Sequence, residues 1–137
     1  MSIKFGIYKC KVCGNIVQTL IPGNGELVCC GKEMELLEKQ YEENELGEKH
    51  VPEIYTMHEG CDTGTCTEVM YASVIKHPMI KEHYIQFIEV INELKNEIRI
   101  KFFNPEDKAE YKLTEIDGKL EVLELCNIHN LWRNKND

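Results

Sequence analysis

The pattern of apolar and polar residues after residue 95 predicts short β-strands. Residues 97–103 place apolar side chains at the even positions, with Arg99 and Lys101 between them. This alternation is typical of a half-buried strand. Asn104-Pro105 marks a turn directly after it. Short strands separated by turns favour an antiparallel β-sandwich.

A β-hairpin is predicted around Asp117-Gly118, a dipeptide that is a strong short-range signal for a two-residue turn. Residues 110–116 and 119–125 flank the dipeptide and read as strands. If they pair across this turn, Leu113 lies opposite Val122.

Residues 80–94 allow two interpretations. Their apolar side chains recur at helical spacing, and the same stretch is rich in β-branched and aromatic residues. The periodicity favours a helix, whereas the surrounding strands favour another strand. The pattern alone does not decide between them.

The distribution of charge predicts the domain organisation. Residues 35–49 are rich in glutamate and poor in apolar side chains, which is typical of a linker or a solvated edge. All histidines lie after this stretch. We therefore expect a small module at 1–37, a linker at 38–47 and a second domain at 48–137.

Length and charge exclude several classes of protein. A chain of 137 residues is too short for a barrel enzyme or a doubly wound cofactor domain. A formal charge of −8 argues against nucleic acid or an anionic membrane as a partner. No stretch reads as a transmembrane helix, and the first residues do not read as a signal peptide. We expect a cytoplasmic protein.

Seven cysteines and five histidines are an unusual content for so short a chain. In a reducing cytosol, cysteines at this density are metal ligands or redox groups more often than structural disulfides. Metal binding is therefore the first hypothesis.

The first candidate site contains four cysteines. Cys10 and Cys13 are separated by two residues, a spacing that lets both thiolates face one ion. Cys29 and Cys30 are adjacent, so both reach one metal only across a sharp turn, which Gly31 permits. The alternatives are unrelated buried thiols or a redox-active pair. Zinc and iron both suit four thiolates.

The second candidate site combines one cysteine with histidines: His50, His77, His83, Cys126 and His129. Pro78 disfavours helix at His77, and Cys126 and His129 follow a predicted strand. Imidazoles with one thiolate suit iron, copper or zinc. A copper electron-transfer site is the less favoured alternative, because no methionine follows His129 as an axial ligand.

Two groups of motifs together resemble a known family. Residues 8–14 and 29–31 (YKCKVCG and CCG) look like the desulforedoxin-type iron module. Residues 48–52, 76–79, 82–85 and 125–132 (EKHVP, KHPM, EHYI and LCNIHNLW) look like the superoxide reductase domain. In this order the chain resembles the desulfoferrodoxins, the two-iron form of superoxide reductase.

The resemblance implies a mainly β fold, in which a small rubredoxin- or desulforedoxin-like metal module precedes an immunoglobulin-like antiparallel β-sandwich. Residues 83–91 would then form a strand. It implies an iron tetrathiolate, Fe(Cys)4, at the four cysteines, where zinc is also possible after heterologous expression. The second iron would take the four histidines as equatorial ligands and Cys126 as the axial thiolate, an Fe(His)4(Cys) site.

The implied activity is the one-electron reduction of superoxide to hydrogen peroxide, with the iron tetrathiolate as an accessory electron-transfer centre. Glu48 resembles the residue that closes the oxidised site, and Lys49 the residue that attracts the anion. Rubredoxin or another small redox protein would donate electrons, and the protein would be a homodimer. The alternatives are a non-catalytic electron carrier, with the second site blocked or filled by zinc, and a zinc-stabilised binding module.

The span between His50 and His77 departs from the family pattern. We expect an insertion near 55–70, which contains His58, Cys61 and Cys66. His58 reads as a loop residue, with a substitute ligand as the alternative. For the two cysteines we favour idle surface thiols over a reversible disulfide or an extra metal site.

Overall fold

The computed structural model describes residues 2–135, which form two compact units with a boundary between Glu38 and Lys39. Both units are built mainly from β-strands, so the predicted mainly β fold is confirmed. The helices within the described residues are all too short and polar to span a bilayer.

Short strands make up the first unit: β1 (Ile7–Lys9), β2 (Ile16–Gln18), β3 (Val28–Cys29), β4 (Lys32–Glu33) and β5 (Glu35–Leu36). β1 pairs antiparallel with both β2 and β5, and β3 pairs antiparallel with β4. The apolar core is small, with Ile7, Tyr8, Cys10 and Leu37 buried. A fold of this size usually needs a metal or disulfides in addition to its core.

The second unit contains a short helix and two antiparallel sheets. The elements are α1 (Glu45–His50), β6 (Glu53–Glu59), β7 (Thr67–Ser73), β8 (Ile85–Asn92), β9 (Glu97–Phe102), β10 (Glu110–Leu113), β11 (Glu121–Cys126) and β12 (Asn130–Arg133). One sheet has the order β10-β7-β6 and the other β12-β11-β8-β9.

One apolar core joins the two sheets of the second unit. It includes Ala72 and Leu113 from the first sheet, and Ile88, Val122 and Cys126 from the second. Two antiparallel sheets around a shared core form a sandwich, as expected from the strand pattern. The buried thiol of Cys126 belongs to this core.

The predicted hairpin around Asp117-Gly118 is wrong. Leu113 is aligned with Met70 on β7, and Val122 with Val90 on β8, so β10 and β11 belong to different sheets. β11 is hydrogen-bonded along both edges, by β8 and β12, and has no edge left for β10. Gly118 has a φ of 89° in the connection that passes between the sheets.

Within residues 80–94, where the helical periodicity favoured a helix, the structure contains a strand and no helix. β8 covers Ile85–Asn92, and all but one of its residues are buried. A central strand covered on both faces carries apolar residues without alternation. Helical spacing within so apolar a segment is therefore coincidental.

The segment expected as a linker is partly ordered into the second unit. Gln40 forms a parallel bridge with Trp132, and α1 begins at Glu45. The side chain of Asn44 caps α1 by accepting a hydrogen bond from the Gly47 amide at 3.0 Å. A Cβ at Gly47 would clash with the Glu42 carbonyl oxygen, so only glycine fits there.

Candidate metal centres

The four cysteines of the first unit converge on one point. Their sulfur atoms all lie within 4.8 Å of one another, although the residues come from two separate segments. Cys10 and Cys13 occupy the turn between β1 and β2, whereas Cys29 ends β3 and Cys30 lies in the turn that leads to β4. Cys30 and Gly31 have φ values of 54° and 75°, which give the sharp turn that the adjacent cysteines require.

Backbone amides and neighbouring thiols set the protonation of this first site. The Cys13 amide donates to the Cys10 sulfur at 3.4 Å and lowers the pKa of Cys10 to about 6. Contacts with the Cys13 and Cys29 sulfurs raise the pKa of Cys30 to about 12. Each thiolate makes the next deprotonation harder, so a metal cation is needed for all four to ionise together.

The second site gathers four imidazoles and one thiol from separate parts of the sandwich. His50 ends α1, His77 and His83 lie between β7 and β8, Cys126 ends β11, and His129 precedes β12. Their five ligand atoms lie within 4.8 Å of one another. The structure thus brings together every histidine and cysteine that the sequence assigned to this site.

The imidazole rings form a closed ring of four. Neighbouring ring centroids are 4.7 Å apart for His50–His77, 4.5 Å for His77–His83, 5.1 Å for His83–His129 and 4.7 Å for His129–His50. The sulfur of Cys126 lies 3.2 Å from His77 Nε2 and 3.7 Å from His129 Nδ1. This arrangement suits four imidazole ligands and one thiolate around a single ion.

Backbone carbonyls fix the tautomers of two of the rings. The Nδ1 atoms of His50 and His77 lie 2.8 Å from the Leu46 oxygen and 2.6 Å from the Pro78 oxygen. When each Nδ1–H donates to its carbonyl, the Nε2 atom of the same neutral ring is unprotonated and can bind a metal, which is the usual arrangement of metal-binding histidines. The buried Nε2 of His83 has no hydrogen-bond partner among the described residues, which is what a metal-binding atom would show before the metal is added.

Burial favours the neutral forms of three of the histidines and of Cys126. It lowers the pKa of His50 and His83, and that of His77 to about 4. Burial also raises the pKa of Cys126. Neutral imidazoles are ready to bind iron at neutral pH, whereas the thiol needs the cation in order to ionise. Both the four-cysteine group and the group of four histidines with one cysteine could hold iron.

Trp132 contributes to the second site. In the sequence, only its place in the motif at residues 125–132 connected it with this site. The side chain is fully buried, and its indole stacks on His50 with a centroid distance of 4.8 Å. Its Nε1 donates to the His129 carbonyl oxygen at 3.0 Å, and Gln40 donates to the same oxygen at 2.8 Å. One aromatic residue therefore supports two ligands.

Glu48 and Lys49, the predicted catalytic pair, are exposed on α1 just before His50. Lys76 lies 2.6 Å from the Glu48 carboxylate. Its hydrogen bond and charge lower the pKa of Glu48. This partner of Glu48 was not predicted, and its only sequence signal is its position beside His77.

The hairpin formed by β6 and β7 holds the remaining candidates. His58 is on β6, 3.7 Å from the Glu68 carboxylate and outside the ligand cluster. Cys61 and Cys66 form a disulfide, so the prediction of idle thiols is wrong. A 3₁₀ turn at Cys61–Thr63, with left-handed glycines at 60 and 64, folds the polar loop back so that the two sulfurs meet.

Fold and sites together define a two-unit β protein with a tetrathiolate site in one unit and a tetrahistidine-thiolate site in the other. The sequence model described as "Desulfoferrodoxin, N-terminal domain" matches residues 2–37, and that described as "Desulfoferrodoxin" matches residues 42–135. The chain belongs to the desulfoferrodoxin family.

Individual relatives agree with this assignment. The desulfoferrodoxin of Syntrophotalea carbinolica is 41% identical over 132 residues, covering 96% of this chain and 97% of the relative. The superoxide reductase of Pyrococcus horikoshii is 35% identical over 101 residues, covering 65% of this chain and 86% of the relative. The crystal structure of the superoxide reductase from Treponema pallidum has a similar fold, with a TM-score of 0.67 at 22% identity over 98% of this chain and all of that one.

Proposed function

We propose that the protein is a superoxide reductase, which adds one electron and two protons to superoxide to release hydrogen peroxide. The observation that carries this proposal is the closed ring of four imidazoles with the Cys126 sulfur beside it. Five protein ligands would leave a bound iron with a position for the substrate, as catalytic metal sites do. Iron, when bound, supplies the electron.

The chain's own residues prepare the site for this reaction. The carbonyls beside His50 and His77 hold the rings in the ligating tautomer. Trp132 fixes the plane of His50 and the position of the His129 backbone. Cys126, once ionised, would help to hold the metal and would donate electron density to it, as thiolate ligands do at other iron sites.

Lys49 is proposed to attract the substrate. The whole chain carries a charge of −8 and therefore repels an anion at long range. Only positive charges within about 8 Å act strongly at physiological ionic strength. The Lys49 charge is felt at His50 and His83, where it adds to burial in lowering their pKa. Glu48 is proposed to close the site after the electron has been transferred.

The tetrathiolate site is proposed to pass electrons to the second site. Cys13 and Cys30 are exposed, so a small redox protein such as rubredoxin can approach this metal closely. We also propose that the protein works in the cytoplasm, as a homodimer. These proposals are supported by the resemblance of the motifs and by the exposure of the first site.

A comparison of iron-loaded variants tests the proposed function. The wild-type protein should consume superoxide in a pulse-radiolysis experiment, and His83→Ala should not, because an imidazole of the second site is missing. Cys30→Ser is the matched control, since it alters the other site. Equal superoxide consumption by wild type and His83→Ala would contradict the proposal.

A further inference from the structure

An ion pair joins two of the segments that carry ligands. The ammonium of Lys76 lies 2.6 Å from Glu48 Oε1. Glu48 lies on α1 two residues before His50, and Lys76 directly precedes His77. The pair therefore spans from the helix to the loop between β7 and β8, at the surface beside the second metal site.

The Glu48 carboxylate is a potential metal ligand that the structure keeps apart from the other ligands. The five ligand atoms of the second site lie within 4.8 Å of one another, and no oxygen of Glu48 belongs to that group. Glu48 lines a surface cavity of about 330 Å³ together with Glu45, Lys49 and Lys76. Two ammonium groups are thus available to the carboxylate, and the one it contacts is Lys76.

We propose that Lys76 is a positioning residue that draws the Glu48 carboxylate away from the metal, so that the site is open before electron transfer and a small anion competes more easily with Glu48 afterwards. This inference deepens the proposed function and rests on it for the identity of the natural anion. Because Lys76 neutralises Glu48, the charge of Lys49 remains free to attract that anion. Without Lys76, the carboxylate would compete more strongly with the anion for the metal.

The expected effect is small because both partners are exposed, with side-chain exposures of 61% for Lys76 and 59% for Glu48. An exposed ion pair changes an equilibrium by a factor of about two to five. In Lys76→Ala, the affinity of the iron-loaded, oxidised protein for azide should therefore fall by about two- to fivefold. Lys76→Arg, which keeps the pair, should restore it.

Loss of a positive charge would also weaken anion binding, so the test needs a control for charge. Lys81 is an exposed lysine two residues before His83 and has no ion pair with a described residue. Lys81→Ala removes the same charge and leaves Glu48 in place. Azide titration, followed by visible absorption at constant ionic strength, measures the affinity of each variant.

The double-mutant cycle with Glu48→Gln gives the decisive result. We expect Lys76→Ala to weaken azide binding more than Lys81→Ala does, and this excess to vanish when Glu48 is already glutamine. Equal effects of the two lysine variants, or an excess that persists with Glu48→Gln, would overturn the proposal. Failure of azide to bind even when Glu48 is glutamine would overturn it too, since the proposal requires a position on the metal for which the carboxylate and the anion compete.

A second readout is independent of added anions and of superoxide. In the cobalt(II)-loaded protein, d–d absorption weakens as coordination rises from five to six ligands. Lys76→Ala should weaken it, and the Glu48→Gln double variant should not. Superoxide consumption by wild type, measured separately, tests the proposed function alone, so that either idea can fail without the other.

Discussion

Replacing Trp132 with phenylalanine should loosen the second metal site while leaving the sandwich folded. The indole N–H bond to the His129 carbonyl would be lost, and this oxygen would keep its bond from Gln40. The net loss is therefore at the low end for a hydrogen bond, about 0.5–1 kcal/mol. Shrinking a fully buried ring adds a cavity cost, and full truncation of tryptophan costs about 3–5 kcal/mol. We expect a total decrease of about 2–3 kcal/mol in the free energy of unfolding.

The effect on metal binding should exceed what this loss of stability explains. Replacing a residue that holds a metal ligand in place typically lowers the affinity for the metal by about 10- to 100-fold. Phenylalanine still stacks on His50 but no longer holds the His129 backbone, so we expect about a tenfold loss of affinity at the second site. Competition with a chelator measures the affinity, and urea unfolding of the metal-free protein measures the stability.

Leu113→Ala is the matched control for Trp132→Phe. Leu113 is buried on β10, a strand that carries no ligand, and its truncation should cost about 2–5 kcal/mol. Leu113→Ala should lose as much stability as Trp132→Phe does, and its affinity for metal at the second site should stay unchanged. If Trp132→Phe retains wild-type affinity, or if Leu113→Ala loses as much, then Trp132 does not position the ligands.

Three further predictions concern charge, the independence of the two sites and pH. Lys49→Ala should slow the reaction with superoxide by about tenfold at low salt, whereas Glu48→Ala should change mainly the oxidised spectrum. Stopped-flow rates measured at several salt concentrations test this, and equal rates for Lys49→Ala and wild type would contradict it. Cys30→Ser should disturb the first metal and leave ferrous oxidation at the second intact, as metal analysis and pulse radiolysis can show. Glu59 has a lowered pKa, chiefly through its hydrogen bond from Lys112, so its stabilising contribution is present above the ordinary carboxyl pKa and is lost as pH falls through the lowered one. The stability deficit of Glu59→Gln in urea unfolding should therefore shrink in acid, and a deficit that does not change with pH would argue against this ion pair.

The ligands could be predicted from the sequence because ligand chemistry depends on residue type and spacing. Cys10 and Cys13 indicate a site by their separation alone, and the adjacent Cys29 and Cys30 require a turn that the structure contains. His50 was harder to assign, because its partners are far away in sequence. Its place in the cluster followed from the motif around it.

Sheet partners and supporting contacts could not be predicted in this way. Asp117-Gly118 describes a local turn, whereas the partner of β11 is decided by which of its edges are already paired. The role of Trp132 depends on α1 bringing His50 against it, a contact between residues far apart in the sequence. The Cys61–Cys66 disulfide depends on how the hairpin loop folds back, which residue composition does not describe.

Product stoichiometry tests the central claim most directly. The iron-loaded protein, kept reduced by an excess electron donor, is supplied with a known amount of superoxide, and hydrogen peroxide and dioxygen are measured together. A reductase gives one hydrogen peroxide for each superoxide consumed and no dioxygen, and this is the result we predict. One hydrogen peroxide and one dioxygen for every two superoxide would indicate dismutation, and no protein-dependent consumption would indicate an electron carrier. Either result would contradict the proposed function.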